Sequence, residues 1–283
     1  MQPLRELLLA KHNVFHVSFS TRPSKLFEDA EQRLTIYIQT PSAKPRLFSG
    51  GFLKWYSEER AVLFSLLEFV EVEPLRGRHS IWPKIRGIRE KAVFSKIAGM
   101  PTLVESGALV GGEVLYYKNT GIRYFNTVTL RPPKCWINGK AASSSRETHL
   151  SVSRETKSAV HATLLSTTFF CYFQFTSNCR DLNPSDIRLF CTPKSLFGDA
   201  QLVKLSPAVE KDYVSKAKTI TMENKLTGTV ELESLSPAKS KPILDEIDTV
   251  LAGHYGFTAE ELDFILNYDI KYRLGREAGE EQE

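Results

Sequence analysis

The chain has 283 residues, 42% of them hydrophobic, and 37 Lys and Arg against 33 Asp and Glu give a formal net charge of +4. That is enough apolar material for one large or two modest domains, and too little net charge to mark a nucleic-acid binder by itself. The most apolar stretch, 160–175, is interrupted by His161, Ser166, Thr167, Thr168 and Gln174 and falls short of the roughly 20 apolar residues of a membrane span, so no membrane partner is expected. Met1-Gln2-Pro3-Leu4-Arg5-Glu6 offers no basic lead, apolar segment or cleavage site, which predicts a cytoplasmic location.

Leu4, Leu7 and Leu8 at helical spacing make residues 5–11 the end of a helix, with Asn13 as its stop. Residues 14–19 are β-branched and aromatic and suit a strand. Leu34, Ile36 and Ile38 alternate with Thr35 and Tyr37, the period of two of a second strand. An Arg-Pro-Ser loop at 22–24 lies between them. One helix and two strands close no core, so this opening unit is expected to lean on something else.

Pro41, Pro45 and Gly50-Gly51 mark a boundary. Ser57-Glu58-Glu59 reads as a cap and acidic first turn, opening a helix with Ala61, Leu63, Phe64, Leu66, Leu67 and Val70 on its apolar face. Residues 76–96 are the most basic stretch, with Arg76, Arg78, Lys84, Arg86, Arg89, Lys91 and Lys96 against Glu90 alone. Alternation of aromatic, β-branched and polar residues over 113–137 predicts several short strands.

Ser143-Ser144-Ser145 with Arg146 reads as a polar loop, and 159–175 as a buried helix or a helix merging into a strand, which periodicity does not decide. Residues 181–186 carry turn chemistry and 187–191 suit a strand. Pro242 starts a helix with Ile243, Leu244, Ile247, Val250 and Leu251 on one face and Gly253 at its end. Thr258 and Glu261 form a capping box for a second helix with Leu262, Ile265 and Leu266 inward. The fold is therefore expected to be mixed α+β, closing in a helical hairpin and an acidic tail at 277–283.

Cys135, Cys171, Cys179 and Cys191 lack the spacing of a zinc knuckle and read as buried free thiols. His12, His16, His79, His149, His161 and His254 are scattered, which predicts surface or core roles and no metal site. Glu71, Glu73 and Lys84 come nearest to a nuclease set, but a solvated charged face explains that spacing better. The basic stretch makes the stronger case. Concentrated cations release condensed counterions from DNA phosphates, and Ile81 and Trp82 among them are placed to pack on sugars or bases. The competing reading is a solvated loop with Trp82 as a core anchor. Asn119, Arg123, Asn126, Arg131 and Lys140 supply donors suited to base edges.

Two stretches carry a resemblance: Phe19-Ser20-Thr21-Arg22-Pro23-Ser24-Lys25-Leu26-Phe27 followed by Glu31-Gln32-Arg33-Leu34-Thr35-Ile36-Tyr37-Ile38, and Glu260-Glu261-Leu262-Asp263-Phe264-Ile265-Leu266-Asn267-Tyr268-Asp269-Ile270-Lys271-Tyr272-Arg273. Both are similar to the carboxyl-terminal part of large adenine-specific DNA methyltransferases of restriction-modification systems that carry a Taq-like specificity domain. Tyr117-Lys118-Asn119-Thr120-Gly121 and Arg180-Asp181-Leu182-Asn183-Pro184-Ser185-Asp186-Ile187 extend the likeness over nearly the whole chain.

The resemblance implies three parts. Residues 1–42 would be the end of a Rossmann-like methyltransferase domain, 43–200 a target-recognition domain and 201–283 a helical segment. Arg22 and Lys25 would lie in a loop facing a flipped adenine. The family's glycine-rich cofactor motif and Asn-Pro-Pro-aromatic tetrad would precede Met1. Within the chain, Gly111-Gly112 runs into Glu113, Pro132-Pro133 sits between Arg131 and Lys134, and Asn183-Pro184 is followed by Ser185, all reading as turns. No cofactor is therefore expected on this chain alone. S-adenosylmethionine is assigned to a separately encoded catalytic half, and double-stranded DNA is the shared substrate. Two strands cut from a parallel sheet would expose an edge that such a partner covers. A self-sufficient methyltransferase with an unrecognised cofactor site and a degenerate protein-binding remnant stand as alternatives.

Overall fold

The computed structural model describes residues 2–29, 31–75, 80–120, 124–144 and 146–274. Its content is mixed α+β, with three sheets and nine α-helices among the described residues. Two compact units divide the chain: residues 1–95 with 174–176, and residues 96–173 with 177–283.

In the first unit, α1 (Gln2–Leu9) leads into β1 (His12–Phe19), and β2 (Leu34–Pro41) pairs with it from His12 opposite Pro41 to Phe19 opposite Leu34. This pairing is antiparallel. β3 (Leu47–Leu53) runs parallel to β1 on its other side, and β4 (Val70–Val72) closes the order β2-β1-β3-β4. The central strand buries Val14, Val17 and Phe19, whereas β2 leaves Ile36, Tyr37 and Ile38 exposed at the edge.

The boundary expected at residue 42 and the break expected at Gly50-Gly51 both fall inside this sheet. The two glycines belong to β3, where the register against β1 shifts between His16 and Ser18. A Cβ at Gly50 would come within 3.2 Å of Val17, and Gly51 has φ +82 with Arg86 2.8 Å from where its Cβ would stand. They therefore mark an irregular strand under close approach rather than a linker.

The helix expected after Ser57 is only a 3₁₀ turn over Ser57–Val62, in which Glu59 accepts from the Tyr56 amide at 2.7 Å. Leu63 enters a core with Val17, Phe19, Leu26, Leu53 and Trp55, while Phe64 and Leu66 are exposed and Val70 begins β4. Pairing of β4 with β3 outweighs the helical pattern here. A regular helix forms instead in the basic stretch: α2 (Gly87–Ala98) hides Val93, Phe94 and Ile97 among its cations.

The second unit opens with β5 (Glu113–Lys118), β6 (Val128–Thr129), β7 (Cys135–Ile137), β8 (Lys140–Ala142) and β9 (Glu147–Val152). The short strands expected over 113–137 are thus present. The apolar stretch resolves into two helices, α3 (Lys157–Leu165) and α4 (Thr167–Thr176). Ser166 separates them: its hydroxyl donates to Thr163 O at 2.6 Å and accepts from Phe169 N at 3.0 Å. No strand forms at 187–191, because Asn183 and Asp186 cap α5 (Pro184–Arg188) and fold Ile187 into it.

The segment expected to be helical from residue 201 holds α6 (Ala200–Lys216) and then a hairpin of β10 (Lys218–Asn224) and β11 (Gly228–Ser234). Two sheets result, ordered β6-β5-β9 and β10-β11-β7-β8. α7 (Lys241–Tyr255) runs past Gly253 and stops at Gly256, whose φ of 67 lets Phe257 N reach Ala252 O at 2.9 Å. α8 (Ala259–Leu266) opens with the expected box, Glu261 N donating to Thr258 Oγ1 at 3.2 Å and Thr258 N to Glu261 Oε2 at 2.8 Å. α9 (Ile270–Arg273) ends the described chain, so the acidic tail expected at 277–283 lies outside the described residues. All four cysteines are free and buried. Among the described residues no helix is long and apolar enough to cross a membrane.

Arg273 explains part of the terminal motif physically. Its guanidinium carbon lies 4.3 Å from the Phe125 ring centroid and 5.0 Å from that of Phe170, and the side chain donates to Tyr124 O, Tyr268 O and Thr167 Oγ1. Arg273→Met should lower unfolding free energy by about 2 kcal/mol or more in chemical denaturation, because the ring contacts and three acceptors lose their cation together. Arg273→Lys should not restore it, since an ammonium does not reproduce the planar fork.

Two buried histidines set a pH dependence. Burial, then Lys84 and Arg5, lower His16 to about 4; burial also lowers His161 to about 4, against a hydrogen bond to Val128 O. Both are neutral in the fold, whereas an unfolded chain protonates them near 6.5. Their stabilisation is full above that value and is lost as pH falls toward 4. Burial raises Asp248 and Glu210, which act in the opposite sense. The melting temperature of His161→Gln should therefore fall less steeply than that of the unaltered protein between these two pH values; equal slopes would refute the assignment.

Candidate nucleic-acid interface

The loop after β1 is pinned from beneath. Leu26 is buried in the first unit's core, Ser24 N donates to Trp55 O at 3.2 Å, and Arg60 donates to Lys25 O and Leu26 O at 3.1 and 2.6 Å. Arg22 projects from this loop into solvent with only a 3.4 Å ion pair to Glu31, and Lys25 is half-buried. Loop shape is thus set by Leu26 and Arg60, leaving the Arg22 cation at the surface.

The basic stretch sorts into distinct environments. Lys84 Nζ sits 5.5 Å from the Phe52 ring centroid, and Trp82 lies 5.6 Å from the ring of His16, which is buried with Nε2 lacking a hydrogen-bond partner. Trp82 also lines a concavity of about 570 Å³ with Arg5, Glu6 and Ser80. Arg86, Arg89 and Lys91 are exposed at the start of α2, and Ile88 between them is 82% exposed. Glu90 turns back to accept from the Arg86 backbone amide, so the one acid of the stretch is occupied as a cap. Arg76, Arg78 and Arg123 lie outside the described residues, as does His79.

The asparagines are engaged differently from the expectation of free base-edge donors. Asn119 Nδ2 donates to Thr148 Oγ1 at 3.1 Å, and its backbone accepts from Leu182 N and donates to Arg146 O. Asn126 is 2% exposed, with both amide atoms buried. Arg131 is turned to Glu233 in a two-pronged pair at 2.7 and 2.8 Å, which raises the arginine further and lowers the acid. Lys140 is exposed on β8.

Sequence reading did not single out Lys118, Lys134 and Arg146 as a set. They come from three separate segments and are exposed around one concavity of about 180 Å³, floored by Pro133, Ile220, Met222 and Leu232. No spacing in the sequence signals such a convergence. A second concavity of about 550 Å³, lined by Tyr116, Trp136 and His149, shares Pro133, Lys134, Ser144 and Glu147 with it.

Catalytic alternatives acquire no support from these positions. Glu71, of the nuclease-like set, is held by Arg46, whose Nε donates at 2.8 Å and depresses the carboxyl. Ser195, His254 and Asp199 form a chain of contacts at 2.9 and 3.0 Å. The Asp199 carboxylate also caps α6, accepting from Gln201 N and Leu202 N, so the three serve to join helix ends. Among the described residues no three metal-ligating side chains converge.

No protein-family model matches the chain, and no curated protein or solved structure does.

Proposed function

We propose that this chain is the DNA target-recognition part of an adenine-specific DNA methyltransferase of a restriction-modification system, and that methyl transfer belongs to a catalytic half outside it. The carrying observation is the turn that opens α2, where Arg86 and Arg89 are exposed and the adjoining Glu90 is turned back to cap the helix. Cations in a first turn oppose the helix macrodipole, so helix stability does not account for them. Arg86 and Arg89, three residues apart, share a side of this turn on which a phosphate can meet both charges, whereas Lys91 lies round the helix, where Glu71 feels its charge.

The open β2 edge supports the second part of the reading. Its exposed Ile36, Tyr37 and Ile38, with a free row of backbone groups along the strand, suit a partner that extends the sheet. The partner would bind S-adenosylmethionine and act on adenine, while this chain holds the duplex. The Arg22 loop, anchored by Leu26, presents a cation from the same unit.

Charge reversal at Arg86→Glu with Arg89→Glu should reduce duplex affinity at least tenfold for every DNA sequence in fluorescence anisotropy, because phosphate contacts carry no base preference. Unchanged affinity would remove this turn from the interface. Methyl transfer to duplex DNA should require this chain and its catalytic half together; labelling of adenine by this chain alone would overturn the division of labour.

A further inference from the structure

The concavity rimmed by Lys118, Lys134 and Arg146 is a built feature of the second unit. Its floor is apolar and comes from the β10–β11 hairpin: Ile220 and Met222 lie on β10, Leu232 on β11, and Ile220 pairs with Leu232. Its rim is cationic and solvent-exposed. At about 180 Å³ it is below the roughly 300 Å³ at which clefts for whole small ligands begin. An α-helix, about 10–12 Å across, is far too large for it. One flat ring is the scale of group it takes.

The two acids at the site are both accounted for. Glu233 is bonded by Arg131 at 2.7 and 2.8 Å, so its charge is met within the fold. Glu147 is partly buried and faces Lys118 across the β5–β9 pair. Lys118 attracts Glu147 and Lys134 attracts Glu233 from beyond ion-pair distance, which leaves all three rim cations exposed to a ligand. Trp136 and Tyr116 line the neighbouring concavity, across the wall that contains Pro133 and Lys134. An apolar slot for a ring, flanked by cations and followed by aromatic faces, is the pattern that binds a nucleic-acid strand through its bases and phosphates.

We propose that this concavity seats one unstacked base of a DNA strand on Ile220, Met222 and Leu232, with adjacent phosphates on Lys118, Lys134 and Arg146. The proposal rests on the reading of the chain as a DNA-recognition protein and adds a second contact surface, for a locally opened strand instead of the duplex. Opening a strand costs a few kcal/mol, and stacking with phosphate contacts offsets it.

The test is anisotropy of a labelled single-stranded oligonucleotide and of the corresponding duplex with the full chain. Lys134→Glu with Arg146→Glu should weaken single-strand binding at least tenfold, and Met222→Trp, which fills the slot at a half-exposed hairpin position, should weaken it with circular dichroism unchanged. Single-strand affinity equal to that of the unaltered chain in both variants would overturn the slot while leaving duplex recognition standing. Failure of the unaltered chain to bind either form of DNA would overturn the recognition reading and the slot together.

Discussion

The second unit depends on a carboxylate buried at a helix start. α4 begins inside the protein, where its first amides have no water to bond, and an unmet buried N–H costs about 1–3 kcal/mol. Asp248 on α7 meets this need: it accepts from Thr167 N at 2.8 Å, Thr168 N at 2.9 Å and Thr168 Oγ1 at 2.8 Å. Burial raises the carboxyl, and those same hydrogen bonds oppose the rise. Arg273 then bonds Thr167 Oγ1, so α4, α7 and α9 share one polar junction. Around it α3 packs against α6 and α7, and β5, which carries Lys118, and β6 pack on α3. A rigid base of this kind is what a recognition surface built from several segments requires.

Local chemistry was legible where it was self-contained. The β1 strand follows from its β-branched and aromatic residues, β2 from period-two alternation, and the α8 capping box from Thr258 and Glu261 alone. The β10–β11 hairpin was legible as well: Ile220 and Met222, then Val230 and Leu232, alternate with Thr and Glu on either side of a turn at 225–228. Tertiary pairing decided the rest. Residues 61–70 have a helical apolar pattern, yet Val70 is claimed by a strand and Leu63 by the core, so only a 3₁₀ turn survives. The continuous apolarity of 159–175 erased any period, and Ser166 supplied the break that separates two helices. Gly256 shows the same lesson at a helix end: two glycines compete, and positive φ selects the later one.

The candidate interface was partly legible for related reasons. A run of cations is visible in sequence, and Arg86, Arg89 and Lys91 are each exposed near the start of α2. Burial is not visible, so Asn119 and Asn126 read as donors although one is bonded to Thr148 and the other is enclosed. Convergence is not visible either, and the rim of the slot is assembled from residues 118, 134 and 146 by sheet pairing. Exposure and charge supply the surfaces on which the proposed DNA recognition can act.

We propose that this polypeptide grips DNA through clustered cations. The most direct measurement is the affinity of the purified chain for a duplex across salt concentrations. Neutralising two phosphates with Arg86 and Arg89 at the α2 turn predicts a slope of log affinity against log salt of about −1.8, since each phosphate contributes about −0.9. Affinity that stays flat as salt is raised, or no detectable binding at low salt, would contradict the claim.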